Sequence, residues 1–200
     1  MFIKSPTILP MLGTENTPAV PHWDLDSGSE SITFRTAMRR FIGGVTVITT
    51  RHENRPWGMT VSAFAPACMD PPTLIVCVNR NTITAANITT DARFAVNVLS
   101  QEQVNISQHC SRAGSDKFIE DFEIPKDELP DRIKMPVLRD SLVTFDCKVN
   151  CEFLVKSHLV LIASVDSILA PAAKLPLLYG DGQYMHGVSV DQVLSEGAPA

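Results

Sequence analysis

The sequence predicts a mainly-β fold, a closed or split antiparallel β-barrel with a few flanking short helices. Period-two or continuous β-branched runs recur about seven times, whereas helical spacing is confined to two or three short segments. The strict β-α alternation that builds a doubly wound sheet is missing, which leaves antiparallel closure as the way to shelter sheet edges. No Gly-x-Gly-x-x-Gly or Walker loop occurs, so a bound nucleotide would be held by some other device.

The elements follow in order. Residues 1–30 hold four of the fourteen prolines and show no periodicity, the pattern of an extended or disordered arm. Its start, "MFIKSPTILPMLG", resembles a secretory leader. Pro6 and Pro10 break the apolar stretch, however, and Lys4 is the sole lysine or arginine before Arg35, which argues against a leader or a mitochondrial presequence. A helix is expected next, capped by Ser31 and stopped by Gly43-Gly44. Its apolar stripe of Phe34, Ala37, Met38, Phe41 and Ile42 must pack on something.

Three strands are expected in "VTVITT", "WGMTVSAF" and "TLIVCVN", separated by the turn-like "ENRP" and "MDPP". "NTITAANITT" and "SQEQVNISQHCS" read as short helices, the second opened by a capping box of Ser100 and Gln103, with the strand "RFAVNVL" between them. Residues 112–141, rich in charge and proline, read as a long surface excursion. In "FDCKVNCEF", Phe145, Cys147, Val149, Cys151 and Phe153 alternate with polar residues, so one face should be core. "HLVLIASVDSIL" and "LLYGDGQYMHGV" supply the last strands, the second interrupted by a glycine turn. The body of the domain is thus 31–190, followed by a tail, 191–200.

Composition narrows the function. Two hundred residues, 44% of them hydrophobic, suit one compact domain with its own core. A net charge of -5 without a basic stripe argues against nucleic acid. The longest apolar runs fall far short of the roughly 20 residues that span a bilayer, so no membrane association is expected and the protein is read as cytoplasmic. Five cysteines without a Cys-x-x-Cys pair suggest reduced core thiols rather than a disulfide framework, and five scattered histidines lack metal-ligand spacing.

Two places carry candidate chemistry. Gly58 reads either as a point where a flat ligand approaches the backbone, with the amides of Met59 to Ala63 facing its polar edge, or as a bulge in an ordinary strand. The run after Pro71-Pro72 ends on Asn79, Arg80, Asn81 and Thr82 at a helix start. Such a start suits a phosphate and equally suits simple capping by Asn81 or Thr82.

Taken in order, "FIGGVTVITT", "GMTVSAFAPACMDPPTLIVCVNRNT", "RFAVNVLS" and "LLYGDGQY" resemble the flavin reductase-like family, the short-chain NAD(P)H:flavin oxidoreductases that supply reduced flavin to two-component monooxygenases. The resemblance runs from about Phe34 to Gly187. It implies a six-stranded antiparallel Greek-key split barrel that binds FMN or FAD, accepts hydride from NADH or NADPH, and forms a homodimer with flavin near the subunit interface. A monooxygenase component is the implied partner. By position, Pro56, Trp57, Gly58, Met59, Thr60, Ser62 and Ala63 would line the isoalloxazine ring. Cys77, Val78 and Asn79, with Thr82 and Thr84, would meet the ribityl chain and phosphate.

Two departures stand out. Where the family commonly presents an arginine and a phenylalanine that help hold the flavin, this chain has His109 and Cys110; a histidine there can still donate to phosphate. Where the family usually shows Gly-Asp-His on the nicotinamide side, this chain reads Lys156-Ser157-His158. His158 is retained as the implied catalytic residue, or else is a strand residue bonded to backbone, and Tyr179 would lie beside the same pocket. The expected function is an NAD(P)H-dependent flavin reductase, FMN-preferring. The alternatives are a flavoprotein that keeps FMN bound and reduces another acceptor, such as a corrinoid, and a non-catalytic flavin-binding module. The arm, anchored by Trp23, is expected to cross onto the other subunit.

Overall fold

A computed structural model describes residues 34–171 and 174–188. The expectations for the 1–30 arm, Trp23, the Ser31 cap and the 191–200 tail lie outside these residues. Chain order is α1 (Phe34–Arg39), β1 (Gly43–Gly44), β2 (Thr46–His52), β3 (Arg55–Val61), β4 (Phe64–Met69), β5 (Pro72–Asn79), α2 (Ile83–Asp91), β6 (Arg93–Val98), a 3-10 turn at Gln101–Gln103, α3 (Val104–Ser111), β7 (Val143–Val155), β8 (His158–Leu169), β9 (Leu177–Gly180) and β10 (Gln183–His186). No helix among the described residues is long and apolar enough to cross a membrane.

The main sheet is seven-stranded and antiparallel, ordered β3-β2-β6-β7-β8-β5-β4, and a second sheet is ordered β1-β9-β10. Laid flat, seven strands would put the outer two about 29 Å apart, at ~4.8 Å per gap. Yet β3 ends at Val61 and β4 begins at Phe64, three Cα steps that reach at most about 11 Å. The sheet therefore curls until its two edges approach at Ser62-Ala63. Among the described residues no ladder joins β3 to β4, so hydrogen bonds do not close the curl into a full barrel. Six of the strands, β2, β3, β5, β6, β7 and β8, send Ile48, Met59, Val76, Phe94, Cys147 and Leu161 into one core, which α2 seals with Ala85 and Ile88.

A second core lies on the other side of β2, where Val45, Val47, Leu99, Ile106, Cys110, Ile119, Leu138 and Leu177 pack together. Covered on both faces, β2 is buried from Thr46 to Thr50, which explains why its sequence is a β-branched run rather than an alternation. Residues 112–141 are thus more than a surface excursion. Ile119, Ile133, Val137 and Leu138 are buried, and the Asn97 side chain holds the Leu138 N–H at 3.0 Å, so the excursion is pinned to the sheet.

Three further expectations are corrected. The first helix ends at Arg39, because Gly43-Gly44 joins β9 opposite Tyr179 and Leu178. There Ile42 lies so near Gly180 that a Cβ on that glycine would meet it at 2.7 Å. Within the described residues the apolar stripe of α1 leaves Phe34 81% and Phe41 69% exposed. In β7 the alternation breaks at a register shift between Val149 and Cys151, because a bulge inserts one residue and inverts the faces beyond it. Cys151 is therefore exposed, as is Cys68 in β4, and Cys77 is half-buried, so only Cys110 and Cys147 of the five thiols are buried. At the 3-10 turn that leads into α3, the expected capping box of Ser100 and Gln103 is present, with Gln103 accepting the Ser100 N–H at 2.9 Å.

Candidate functional site

β3 ends beside two helix termini, and that junction encloses a cavity of about 540 Å³, within the range of small-molecule and cofactor sites. Its lining joins Trp57, Met59 and Thr60 of β3 to Asn81–Thr84 at the start of α2, and to Cys110 and Ser111 at the end of α3. The segment Ala113–Ser115 with Lys117 completes the wall. Trp57, Met59, Thr60, Thr82, Thr84 and Cys110 are thus brought together from the residues read in the sequence.

Each wall has a local cause. Thr82 caps α2 by accepting the Ala85 N–H at 3.1 Å, so the first-turn N–H groups before it have no intrahelical carbonyl to bind. Thr84 sits in that turn, 1% exposed, and its Oγ1 has no hydrogen-bond partner. A buried hydroxyl left so is costly by roughly 1–3 kcal/mol, and its residue belongs to the cavity wall. The hydroxyl of Thr60, by contrast, is spent on the Ser107 carbonyl at 2.7 Å and ties β3 to α3.

Gly58 has a packing reason. A Cβ there would meet Cys110 Sγ at 2.7 Å, Ile119 Cγ2 at 3.1 Å and Val47 Cγ1 at 3.2 Å, so its missing side chain lets α3 and the following segment close on β3. Gly58 N–H donates to the Lys117 carbonyl at 3.0 Å and Pro56 accepts from Ile119 at 3.1 Å. These bonds hold Lys117–Ile119 along the edge of β3 and bring the Lys117 side chain to the cavity. His109 secures the same segment through Nε2 and the Phe118 carbonyl at 2.9 Å. Burial pushes the Cys110 thiol up to about 12, so it is neutral at physiological pH. Burial also pushes the Lys117 ammonium below the ordinary lysine range.

Other residues read in the sequence lie elsewhere. Val78 points into the sheet core at 1% exposure. Asn79 caps the turn before α2, accepting the Asn81 N–H at 3.0 Å. Ser62 and Ala63 are exposed at the seam, and Cys77 is half-buried on the outer face of β5, where its N–H donates to the Ala63 carbonyl at 3.0 Å. His158 pairs with Asn79 across β5 and β8, exposed at the hairpin turn, with Nδ1 3.0 Å from Ser157 Oγ. Tyr179 stacks edge-on with Tyr184 at 5.2 Å. Sequence reading missed Lys117, Ser111 and the Gly114-Ser115 turn. A lysine just before the apolar pair Phe118-Ile119, after a glycine-serine break, is the signal that could have marked them.

The profile of the Flavin reductase like domain matches residues 38–187. This chain belongs to the flavin reductase-like family. Among its curated relatives, the flavin-dependent monooxygenase reductase subunit HsaB of Mycobacterium tuberculosis is 32% identical over 154 residues, covering 76% of this chain and 80% of that protein. The reductase component of 4-nitrophenol 4-monooxygenase/4-nitrocatechol 2-monooxygenase from Rhodococcus opacus is 30% identical, covering 78% and 80%. Among solved structures, flavin reductase PheA2 superposes with a TM-score of 0.68 at 28% identity, covering 80% of this chain and 100% of that one. The styrene monooxygenase flavin reductase SMOB from Pseudomonas putida S12 gives 0.69 at 26% identity, covering 78% and 99%. The chemistry of the cavity suits a flavin: an apolar wall of Trp57 and Met59 for a ring, and the start of α2 at Thr82–Thr84 for a phosphate.

Proposed function

We propose that this protein is an NAD(P)H-dependent flavin reductase that hands reduced flavin to a separate monooxygenase component. What supports the reading is the family match over residues 38–187 together with a cavity whose lining joins Trp57 and Met59 to the start of α2. When bound, a flavin supplies the hydride acceptor, and the chemistry needs little acid-base help from the protein. The protein's share is to orient and to exclude water. Trp57 and Met59 present a buried, apolar surface to a ring. The first-turn amides of α2 are the donors for a phosphate. No carboxylate lines the cavity among the described residues, so no side-chain charge there repels an anionic reactant.

The same reading takes β2, β3, β5, β6, β7 and β8 as a six-stranded Greek-key split barrel, with β4 as an added edge strand. It makes the protein a cytoplasmic homodimer that prefers FMN over FAD, with His158 at the nicotinamide side and Tyr179 nearby. Its test is anaerobic mixing of the purified protein with NADH or NADPH and excess FMN or FAD, following flavin bleaching. Many turnovers per protein are expected. A single bleaching event would favour a protein that keeps its flavin for another acceptor, and no bleaching would overturn the reading.

A further inference from the structure

Trp57 lines the cavity yet is only 6% exposed, so most of its indole is packed against other groups. Two rings that are not part of the cavity lining do much of that packing. Phe118 meets the indole edge to face, with ring centres 5.1 Å apart and planes at 87°, a favoured geometry for an aromatic pair. His52 meets the indole at 5.3 Å and 64° and lies over Phe118 at 6.1 Å with a tilt of 24°. The three rings thus hold one another.

Phe118 is itself fixed on every side. Its N–H donates to Asp116 Oδ1 at 2.9 Å, its carbonyl accepts from His109 Nε2 at 2.9 Å, and its backbone bridges to Trp57 across the edge of β3. On the ring, the Arg55 guanidinium carbon sits 3.5 Å from the centre, a cation-π contact, and Arg55 Nε donates to Glu120 Oε1 at 2.7 Å. An indole left free to turn would lose that freedom when a ring bound against it, at a cost in affinity; one fixed beforehand avoids that loss.

We propose that Phe118, held under Arg55, is a positioning residue for flavin-ring binding: it fixes the Trp57 indole in the orientation that walls the cavity. The inference rests on the flavin reductase reading above and adds a residue that acts through another without lining the cavity. Leucine at 118 keeps an apolar side chain there but offers no ring edge to the indole and no ring face to Arg55.

The experiment uses the full chain carrying Trp23→Phe, which leaves Trp57 as its sole tryptophan. Phe118→Leu, Phe118→Tyr and Arg55→Met are compared in that background by anaerobic steady-state flavin reduction and by the near-ultraviolet circular dichroism of Trp57. Phe118→Leu should raise KM for the flavin about threefold to tenfold, the worth of one aromatic pair, and weaken the tryptophan band, with KM for the nicotinamide nucleotide unchanged. Phe118→Tyr keeps a ring and should restore both readouts. Arg55→Met, at a side chain 54% exposed, should move both in the same direction by less. If Phe118→Leu leaves the flavin KM and the band at their native values, or raises both KM values together as a loosened fold would, the assignment of Phe118 is wrong while flavin reduction stands. Should Phe118→Leu fail to fold, Arg55→Met decides, and an unchanged flavin KM there overturns the inference. If the native protein turns over no flavin, the functional reading itself falls, and this inference with it.

Discussion

Position 58 shows how one missing atom shapes the site. Thr60 and Ser107 tie β3 to α3 from one side, and Gly58 lets Cys110 and Ile119 close from the other. A methyl group at 58 would sit 2.7 Å from Cys110 Sγ, a distance that demands movement of α3 or of the strand. Overpacking of that kind costs about 1–3 kcal/mol. Gly58→Ala is therefore expected to lose that much in urea unfolding, and Gly58→Ala with Cys110→Ala to lose less than the two single changes summed. Strict additivity would mean that the two positions do not press on each other. Because the Cys110 thiol is fully buried, its place is that of a small apolar filler behind the cavity, and the glycine read as a platform for a flat ligand acts first as a seat for that filler.

At the scale of elements, the hairpin joining β7 to β8 carries a conformational cost. Its two-residue turn is Lys156-Ser157, and Lys156 adopts a φ of 54°, in the left-handed region where a side chain costs roughly 1–2 kcal/mol. Hairpins of this length commonly place glycine there. Lys156→Gly should therefore be more stable than Lys156→Ala by about 1 kcal/mol in thermal unfolding; an alanine variant at least as stable as the glycine one would contradict the positive φ. The same hairpin shows where sequence reading stopped. The alternation from Phe145 to Phe153 marked the strand correctly, but the extra residue at the bulge sent Cys151 and Phe153 to the outer face, and no periodicity reports an insertion that preserves its own pattern. β4 was hidden for a different reason: "FAPACM" has no alternation and contains Pro66, as befits an edge strand. The cavity was half legible. Trp57, Met59, Thr60, Thr82 and Thr84 lie on regular elements whose ends could be read, whereas Lys117 reaches the site on an irregular segment placed by two backbone bonds to β3.

For the whole molecule, the curled sheet poses a question of what covers its outside. Beyond the bulge, Cys151 pairs with Ile162 and Phe153 with Val160, and the row continues across β8 to Ile75 and Cys77 on β5. These side chains turn away from the core of Ile48, Val76 and Leu161, and Phe153 is left 57% exposed. A broad apolar sheet face in water is unfavourable at roughly 25 cal/mol per Å² of apolar area, and a second copy of the same face would remove it in a closed, two-fold pair. The proposed homodimer is thus expected to use this face. Phe153→Asp should leave the unfolding free energy of the subunit within about 0.5 kcal/mol, since the side chain contributes little to its own subunit's core. It should nonetheless shift the monomer-dimer equilibrium at least tenfold toward monomer in sedimentation velocity, because each pair would bury two like charges in an apolar contact. A native protein that sediments as a monomer at micromolar concentration, or a Phe153→Asp variant that dimerises as well as the native one, would place the interface elsewhere and leave the outer face without the cover argued for it.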